Sequence, residues 1–152
     1  MELKTNVKEY CGNKTDDVKI IKDYWSKRAY SYSQQNRTEL ECYKHNVWRN
    51  IILNNSPKKD VLKVLDIGCG PGEFSIIMAE EGHDVTGVDI TEEMLQQASE
   101  NAKKYNVKLN LKCMDVHNLE FEDNTFDLII SRNVTWNLKN PDQFFKECQR
   151  VL

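Results

Sequence analysis

The spacing of apolar positions changes near residue 60, and that change divides the chain. Before it, Val18, Ile21 and Trp25 recur at helical spacing, as do Leu40, Tyr43, Val47 and Ile51. This predicts amphipathic helices over about 16–29 and 34–53. Asn54-Asn55-Ser56-Pro57 ends the second, because these residues favour turns over another helical turn. From Val61 onward, short apolar runs alternate with amphipathic stretches, the pattern of βαβ units around a parallel sheet. Strands are predicted at 62–66, 84–89, 108–113 and 126–131. The helix after the first strand is expected to bury Phe74, Ile77 and Met78. The next buries Leu95, Ala98, Ala102 and Tyr105, with Thr91 as its N-cap and Glu92 and Glu93 suited to its first turn. The last begins at Asn140-Pro141, where proline fits the first helical position, and buries Phe144, Phe145, Cys148 and Val151.

Right-handed crossovers arrange these strands in the order 3-2-1-4, a doubly wound, Rossmann-like α/β sheet. The strand at 126–131 then lies on an edge, although Phe126, Leu128, Ile129 and Ile130 suit an interior position. Either the chain is cut short of a longer fold or it covers this edge by self-association, as a homodimer through the fourth strand. The organisation expected is a flexible N-terminus at 1–14, a helical cap at 15–56 and an α/β domain at 57–152.

The chemistry concentrates in Val64-Leu65-Asp66-Ile67-Gly68-Cys69-Gly70-Pro71-Gly72-Glu73-Phe74. An apolar strand ends in an acid, alternate glycines follow, and a helix begins. Such a bend lets backbone touch a ligand at the carboxyl edge of a parallel sheet. The spacing D-x-G-x-G-x-G is not the dinucleotide fingerprint G-x-G-x-x-G. Aligning that fingerprint on Gly68 and Gly70 puts Glu73 at the third glycine, where its charge opposes a pyrophosphate. The loop therefore suits a nucleoside without phosphates, and a cationic one. This argues against an NAD-dependent oxidoreductase on the same fold.

VLDIGCGPGEFS resembles the first motif of class I S-adenosylmethionine-dependent methyltransferases of the small-molecule type. The resemblance continues in order through VTGVDIT (85–91), EEMLQQASENAKKY (92–105), MDVHNLEFEDNTFDLIISRNVTWNL (114–138) and NPDQFFKECQRVL (140–152). It implies S-adenosylmethionine as cofactor, S-adenosylhomocysteine as product and a small-molecule acceptor. Asp89, closing the second strand, is positioned to accept hydrogen bonds from the ribose hydroxyls. Asp115 would take the adenine amine and the Val116 amide a ring nitrogen. Asp66 would brace the loop amides and reach the methionine amine. Gly68, Gly70 and Gly72 set the backbone shape, and Cys69 shapes the loop without acting as a nucleophile. Ile90 and Met94 would sandwich the adenine, Met94 serving equally well as core. The Arg132 carbonyl is the expected contact for the amine, while Trp136 walls the acceptor pocket or packs in the core. Tyr24, Trp25, Arg28, Tyr30 and Tyr32 form an aromatic-basic cluster in the helical cap, which by the resemblance folds over the cofactor, a Tyr or Arg such as Tyr24 or Arg28 reaching its carboxylate; the alternative is an ordinary helix face with a snorkelling Arg28. Enzymes of this type continue into further strands, so a cofactor-binding module without turnover is the second reading. His117 is either an exposed loop histidine or an acceptor-activating base, and no catalytic residue is assigned.

Composition narrows the classes. A net charge of −3 provides no basic field for nucleic acid. No apolar run approaches the ~20 residues of a membrane span, and the start MELKTNVKEY lacks a signal-peptide apolar region. Five cysteines without C-x-x-C pairs suggest free thiols in a reducing cytoplasm. The histidines are dispersed, and Cys42-Tyr43-Lys44-His45 is a half-site without a second pair, so no metal is expected.

Overall fold

The computed structural model describes residues 14–152, with side chains from Val18 onward. The flexible stretch expected at 1–14 lies outside the described residues except for Lys14, which opens the first helix. Two helices lead the chain, α1 (Lys14–Leu40) and α2 (Tyr43–Asn54). The predicted break near residues 30–33 does not occur, and α1 runs through it as one helix of 27 residues. Its buried stripe is Ala29, Ser33, Asn36, Glu39 and Leu40, continuous at helical spacing but more than half polar. A pattern of apolar residues alone cannot show such a stripe. Ser33 tolerates burial because its Oγ accepts a hydrogen bond from Asn101 Nδ2 at 3.1 Å. The turn comes instead at Cys42, whose backbone is extended (φ −124°, ψ −178°).

The α/β part follows as β1 (Lys63–Ile67), α3 (Glu73–Glu80), β2 (Asp84–Asp89), α4 (Glu92–Lys104), β3 (Asn110–Cys113), β4 (Leu128–Ser131) and α5 (Pro141–Val151). A short 3₁₀ turn at Thr135–Asn137 separates β4 from α5. The sheet is parallel, in the expected order β3-β2-β1-β4. In register, Val64 lies between Val85 and Leu128. The edge strands are shorter than predicted. Phe126 precedes β4, its N–H donating to the Val151 carbonyl at the end of α5.

Alternation along β1 builds two cores. Val64 packs with Ile52, Ile76, Ile77 and Met78 on the side of α2 and α3. Leu65 and Ile67 pack with Phe126, Phe144 and Val151 on the side of α5. Full burial of each such side chain is worth about 1.5–3 kcal/mol. Strands buried on both faces read as nearly continuous apolar runs, which is why β1 and its neighbours were legible.

Two helices present slightly rotated faces. On α4, Met94 and Asn101 are buried with Ala98 and Ala102, while Leu95 and Tyr105 are only half-buried. Asn101 turns inward because it donates to Ser33 Oγ and the Pro71 carbonyl and accepts from Arg37 Nε. Thr91 does precede α4, but its side chain makes no capping hydrogen bond. On α5, Phe145 is 58% exposed, contrary to expectation. The inner face runs Phe144, Glu147, Val151, and Phe145 lies one 100° step away. Glu147 is buried in its place, accepting from the Leu119 N–H and from Arg150.

Candidate functional site

The carboxyl ends of all four strands meet in one crevice. Strand order reverses at β1, and open α/β sheets bind ligands where such a reversal parts the loops. The crevice is open to solvent at its mouth and holds a cavity of about 130 Å³. Its lining includes Gly68 and Gly70 after β1, Asp89 and Ile90 after β2, and Met94 on α4. Asp115 and Val116 after β3 and Arg132 after β4 complete the strand-end set. Helix α1 roofs the space with Val18, Ile21, Trp25 and Tyr32. Tyr24 and Arg28, the cap residues singled out from sequence, do not line it. Both are exposed, with the Arg28 guanidinium 5.3 Å from the centre of the Tyr24 ring. The helix phase selects Trp25 instead, in edge contact with Tyr24 and Trp136 and tilted against Tyr32. Trp136 is 67% exposed and belongs neither to the core nor to the crevice lining.

The glycines divide their labour. Gly68 N–H and Cys69 N–H both donate to the Val88 carbonyl, at 2.8 and 3.0 Å, pinning the bend to β2. Gly68 has φ +67°, and a Cβ there would meet Val134 Cγ2 at 2.2 Å, so the loop after β4 sits directly on this residue. Gly70 has φ +51°, and a Cβ there would project between Tyr32 and Met94 Sδ, at 3.8 and 3.9 Å. That is the crevice floor. Gly72 reaches no ligand space; a Cβ there would crowd Ala98 Cβ at 3.2 Å, so it serves the approach of α4. Cys69 is buried beside the bend, and burial pushes its thiol up, out of the range of a nucleophile.

Asp89 is fixed from two directions. Gly70 N–H donates to its Oδ2 at 3.0 Å and Thr91 N–H to its Oδ1 at 2.9 Å. Each oxygen keeps a further lone pair for a hydroxyl donor. Burial raises its proton affinity, and those backbone bonds oppose the rise. Asp115 Oδ1 accepts from both the backbone N–H and the Nδ1–H of His117, at 2.9 and 2.7 Å. His117 is therefore a half-buried wall of the crevice, not the solvated loop residue that sequence favoured.

Asp66 does not brace the loop amides as expected. It is buried, and its Oδ2 accepts from Ser75 Oγ at 2.6 Å on α3. Burial pushes its carboxyl to about 7, against the Ser75 bonds, with Asp89 adding a smaller push. It faces a small side cavity with Asn36 and Glu73, which shares Tyr32, Gly70 and Arg132 with the main crevice. The Arg132 guanidinium donates to Glu73 Oε2 at 2.7 Å and Glu39 Oε2 at 2.9 Å. It lies over the rings of Trp48 and Phe74, at 4.9 and 5.5 Å. Sequence reasoning assigned Arg132 only through its carbonyl and missed this cluster altogether. Burial pushes Glu73 up, with Arg132 opposing and Glu39 reinforcing. Burial also works against ionisation of Glu39, but Arg132 and Lys44 outweigh it and hold that carboxyl low. Glu73 Oε1 is buried without a hydrogen-bond partner among the described residues. His45, from the half-site, pairs with Glu80 at 2.7 Å and braces α2 against α3.

The family model described as a methyltransferase domain matches residues 65–152. The ubiquinone biosynthesis O-methyltransferase of Coxiella burnetii is 32% identical over 89 residues, 59% of this chain and 38% of that protein. The ubiquinone/menaquinone biosynthesis C-methyltransferase of Bdellovibrio bacteriovorus is 30% identical over 141 residues, 91% of this chain and 60% of that protein. The chain thus spans about half the length of the curated relatives it matches. A Methanococcus maripaludis crystal structure, described as an S-adenosyl-L-methionine-dependent methyltransferase, superposes with TM-score 0.77 at 27% identity. That match covers 84% of this chain and 58% of the other.

Proposed function

The chain belongs to the methyltransferase-domain family, and from that premise we propose that it binds S-adenosylmethionine in the crevice and directs methyl transfer to a small-molecule acceptor. The observation that carries the reading is Asp89 held by the Gly70 amide at the foot of the glycine bend, its carboxylate turned to the crevice. When bound, the cofactor supplies an activated methyl group on a sulfonium. The chain's own residues then bind, orient and exclude water. Asp89 accepts the ribose hydroxyls, while Asp115 and the Val116 amide take the adenine edge between Ile90 and Met94. The side cavity, with Asp66 and Glu73, suits the ammonium end, helped by the Arg132 carbonyl. Residues 15–56 act as a cap over the 57–152 domain, with Trp25 and Tyr32 closing the crevice from α1.

No general base is assigned; one is needed only where the acceptor must lose a proton to become nucleophilic. Holding reacting atoms in line at roughly 3–3.5 Å supplies several kcal/mol of the barrier by itself. Val18, Ile21, Trp25, Val134 and Leu138 give the mouth an apolar wall. Together with the quinone-biosynthesis relatives, this supports an apolar ring compound as acceptor. Free thiols at Cys42, Cys69, Cys113 and Cys148 support a reducing, cytoplasmic setting.

Calorimetric titration tests the proposal. S-adenosylhomocysteine should bind and NADH should not; the reverse overturns it. Asp89→Ala should weaken binding by about 1.5–3 kcal/mol, the scale of a hydrogen bond to a charged group. An unchanged affinity in the folded variant removes the ribose assignment. Binding without methyl loss across candidate acceptors would select the binding-module reading. We also propose that β4, which among the described residues has a single ladder neighbour and half-buried Leu128 and Ile129, pairs with a second copy. Sedimentation should then show a dimer that a Leu128→Lys change dissociates, whereas a monomer at all concentrations would refute it.

A further inference from the structure

We infer that His117 is a positioning residue that links the base-binding end of the crevice to the N-terminus of α5, and so to the loop on the acceptor side. The inference rests on the cofactor reading above. Asp115 is exposed, so on its own its side chain would sample several rotamers, and a ligand would have to arrest it. His117 removes that freedom by placing two donors on one carboxylate oxygen. The same ring reaches the other way: Asn140 N–H donates to its Nε2 at 3.4 Å. Both contacts use the tautomer with the proton on Nδ1, since a carboxylate accepts and a backbone N–H donates. The His117 carbonyl adds a third tie, accepting from Gln143 Nε2 at 3.4 Å.

Asn140 is the N-cap of α5, its Oδ1 accepting from Gln143 N–H at 3.1 Å. Between Arg132 and Asn140 runs the loop whose Asn133, Val134, Asn137, Leu138 and Lys139 line the crevice. Among the described residues, the backbone bonds within that loop are local, Asn137 N–H to the Val134 carbonyl and Leu138 N–H to the Thr135 carbonyl. Its start is held by β4 and the Arg132 cluster. Its far end is held by α5 through His117. A ligand that fixes Asp115 therefore tightens a strap running from Asp115 through the imidazole to Asn140, and with it the acceptor-side loop.

Two near-isosteric variants separate the halves of the strap. In His117→Asn, the short amide retains the Asp115 contact at the Nδ1 position and loses Asn140. In His117→Gln, the longer amide retains the Asn140 contact at the Nε2 position and loses the side-chain contact with Asp115, whose bond from the residue 117 N–H remains. The readout is hydrogen exchange at the Asn140 and Gln143 amides, which lie outside the crevice lining, with and without S-adenosylhomocysteine. In the unaltered protein the ligand should slow that exchange about tenfold, a typical linkage between sites. Both variants should bind the ligand more weakly and, at saturating ligand, lose the slowing. Slowing retained in either variant, or absent from the unaltered protein while the ligand binds, overturns the inference. If S-adenosylhomocysteine does not bind the unaltered protein at all, the cofactor reading fails first and the strap fails with it.

Discussion

Gly70→Val is expected to abolish S-adenosylhomocysteine binding while leaving the sheet folded. The backbone at Gly70 has φ +51°, so an L side chain costs about 1–2 kcal/mol there, and a β-branched one the upper part of that range. The first carbon finds only ordinary contacts, 3.8 Å from Tyr32 and 3.9 Å from Met94 Sδ, so nothing in the free protein forces the loop apart. The same carbon and its two methyls occupy the crevice floor, where the ligand must meet backbone. Gly68 provides the contrast. A side chain there would collide with Val134 and expel the loop after β4, so loss of binding would report local unfolding and not a filled site. Thermal unfolding of Gly70→Val should remain cooperative with the midpoint lowered by a few degrees, and calorimetry should show no heat of binding. Near-normal affinity would mean that the ligand does not rest on this bend. Gly70→Ala, with one carbon in the same place, should fall between the two.

What could be read in advance follows from how information is spread along the chain. The strand order came from local apolar runs plus the handedness of crossovers, both independent of side-chain detail. The bend at Gly68 to Gly72 was legible because glycines and an acid at fixed spacing restrict backbone shape within a few residues. The uninterrupted α1 was not, because its inward stripe includes Ser33 and Asn36, which read as polar until Asn101 appears opposite. Of the cap cluster read from sequence, Trp25 and Tyr32 line the crevice while Tyr24 and Arg28 do not. Tyr24 and Trp25 differ by 100° around the axis, and only packing against the domain decides which of them faces the crevice. The Arg132, Glu39 and Glu73 cluster joins three elements far apart in sequence, and no period connects them. Glu73 was noticed only as a charge unwelcome to phosphate. Its partner was invisible.

Asp66 yields the other large effect, and it has opposite signs for stability and for binding. Its carboxyl titrates at about 7 in the folded protein against an ordinary 3.8, because burial disfavours the anion. Between those values the native state holds more protons than the unfolded chain, so stability falls as pH rises through the window and levels off above it. A shift of roughly three units corresponds to about 4 kcal/mol. Asp66→Asn removes this penalty while its amide oxygen can still accept from Ser75 Oγ. Denaturant unfolding should therefore find the variant more stable by as much as about 4 kcal/mol at pH 8, with the difference shrinking towards zero near pH 4. Ligand affinity should move the other way, since the side cavity loses the charge that attracts an ammonium group. In the native sequence, affinity for S-adenosylhomocysteine should rise as pH passes through 7, and Asp66→Asn should flatten that rise. Glu73 shifts in the same direction and remains in the variant, so some pH dependence should survive. A variant less stable than the parent at pH 8 would show that the Asp66 carboxylate supports the fold. One that binds the ligand as tightly as the parent would show that this acid faces no cation. A carboxylate that weakens the fold but strengthens binding is the trade expected of a site residue, because the ligand supplies the positive charge that the folded chain leaves out.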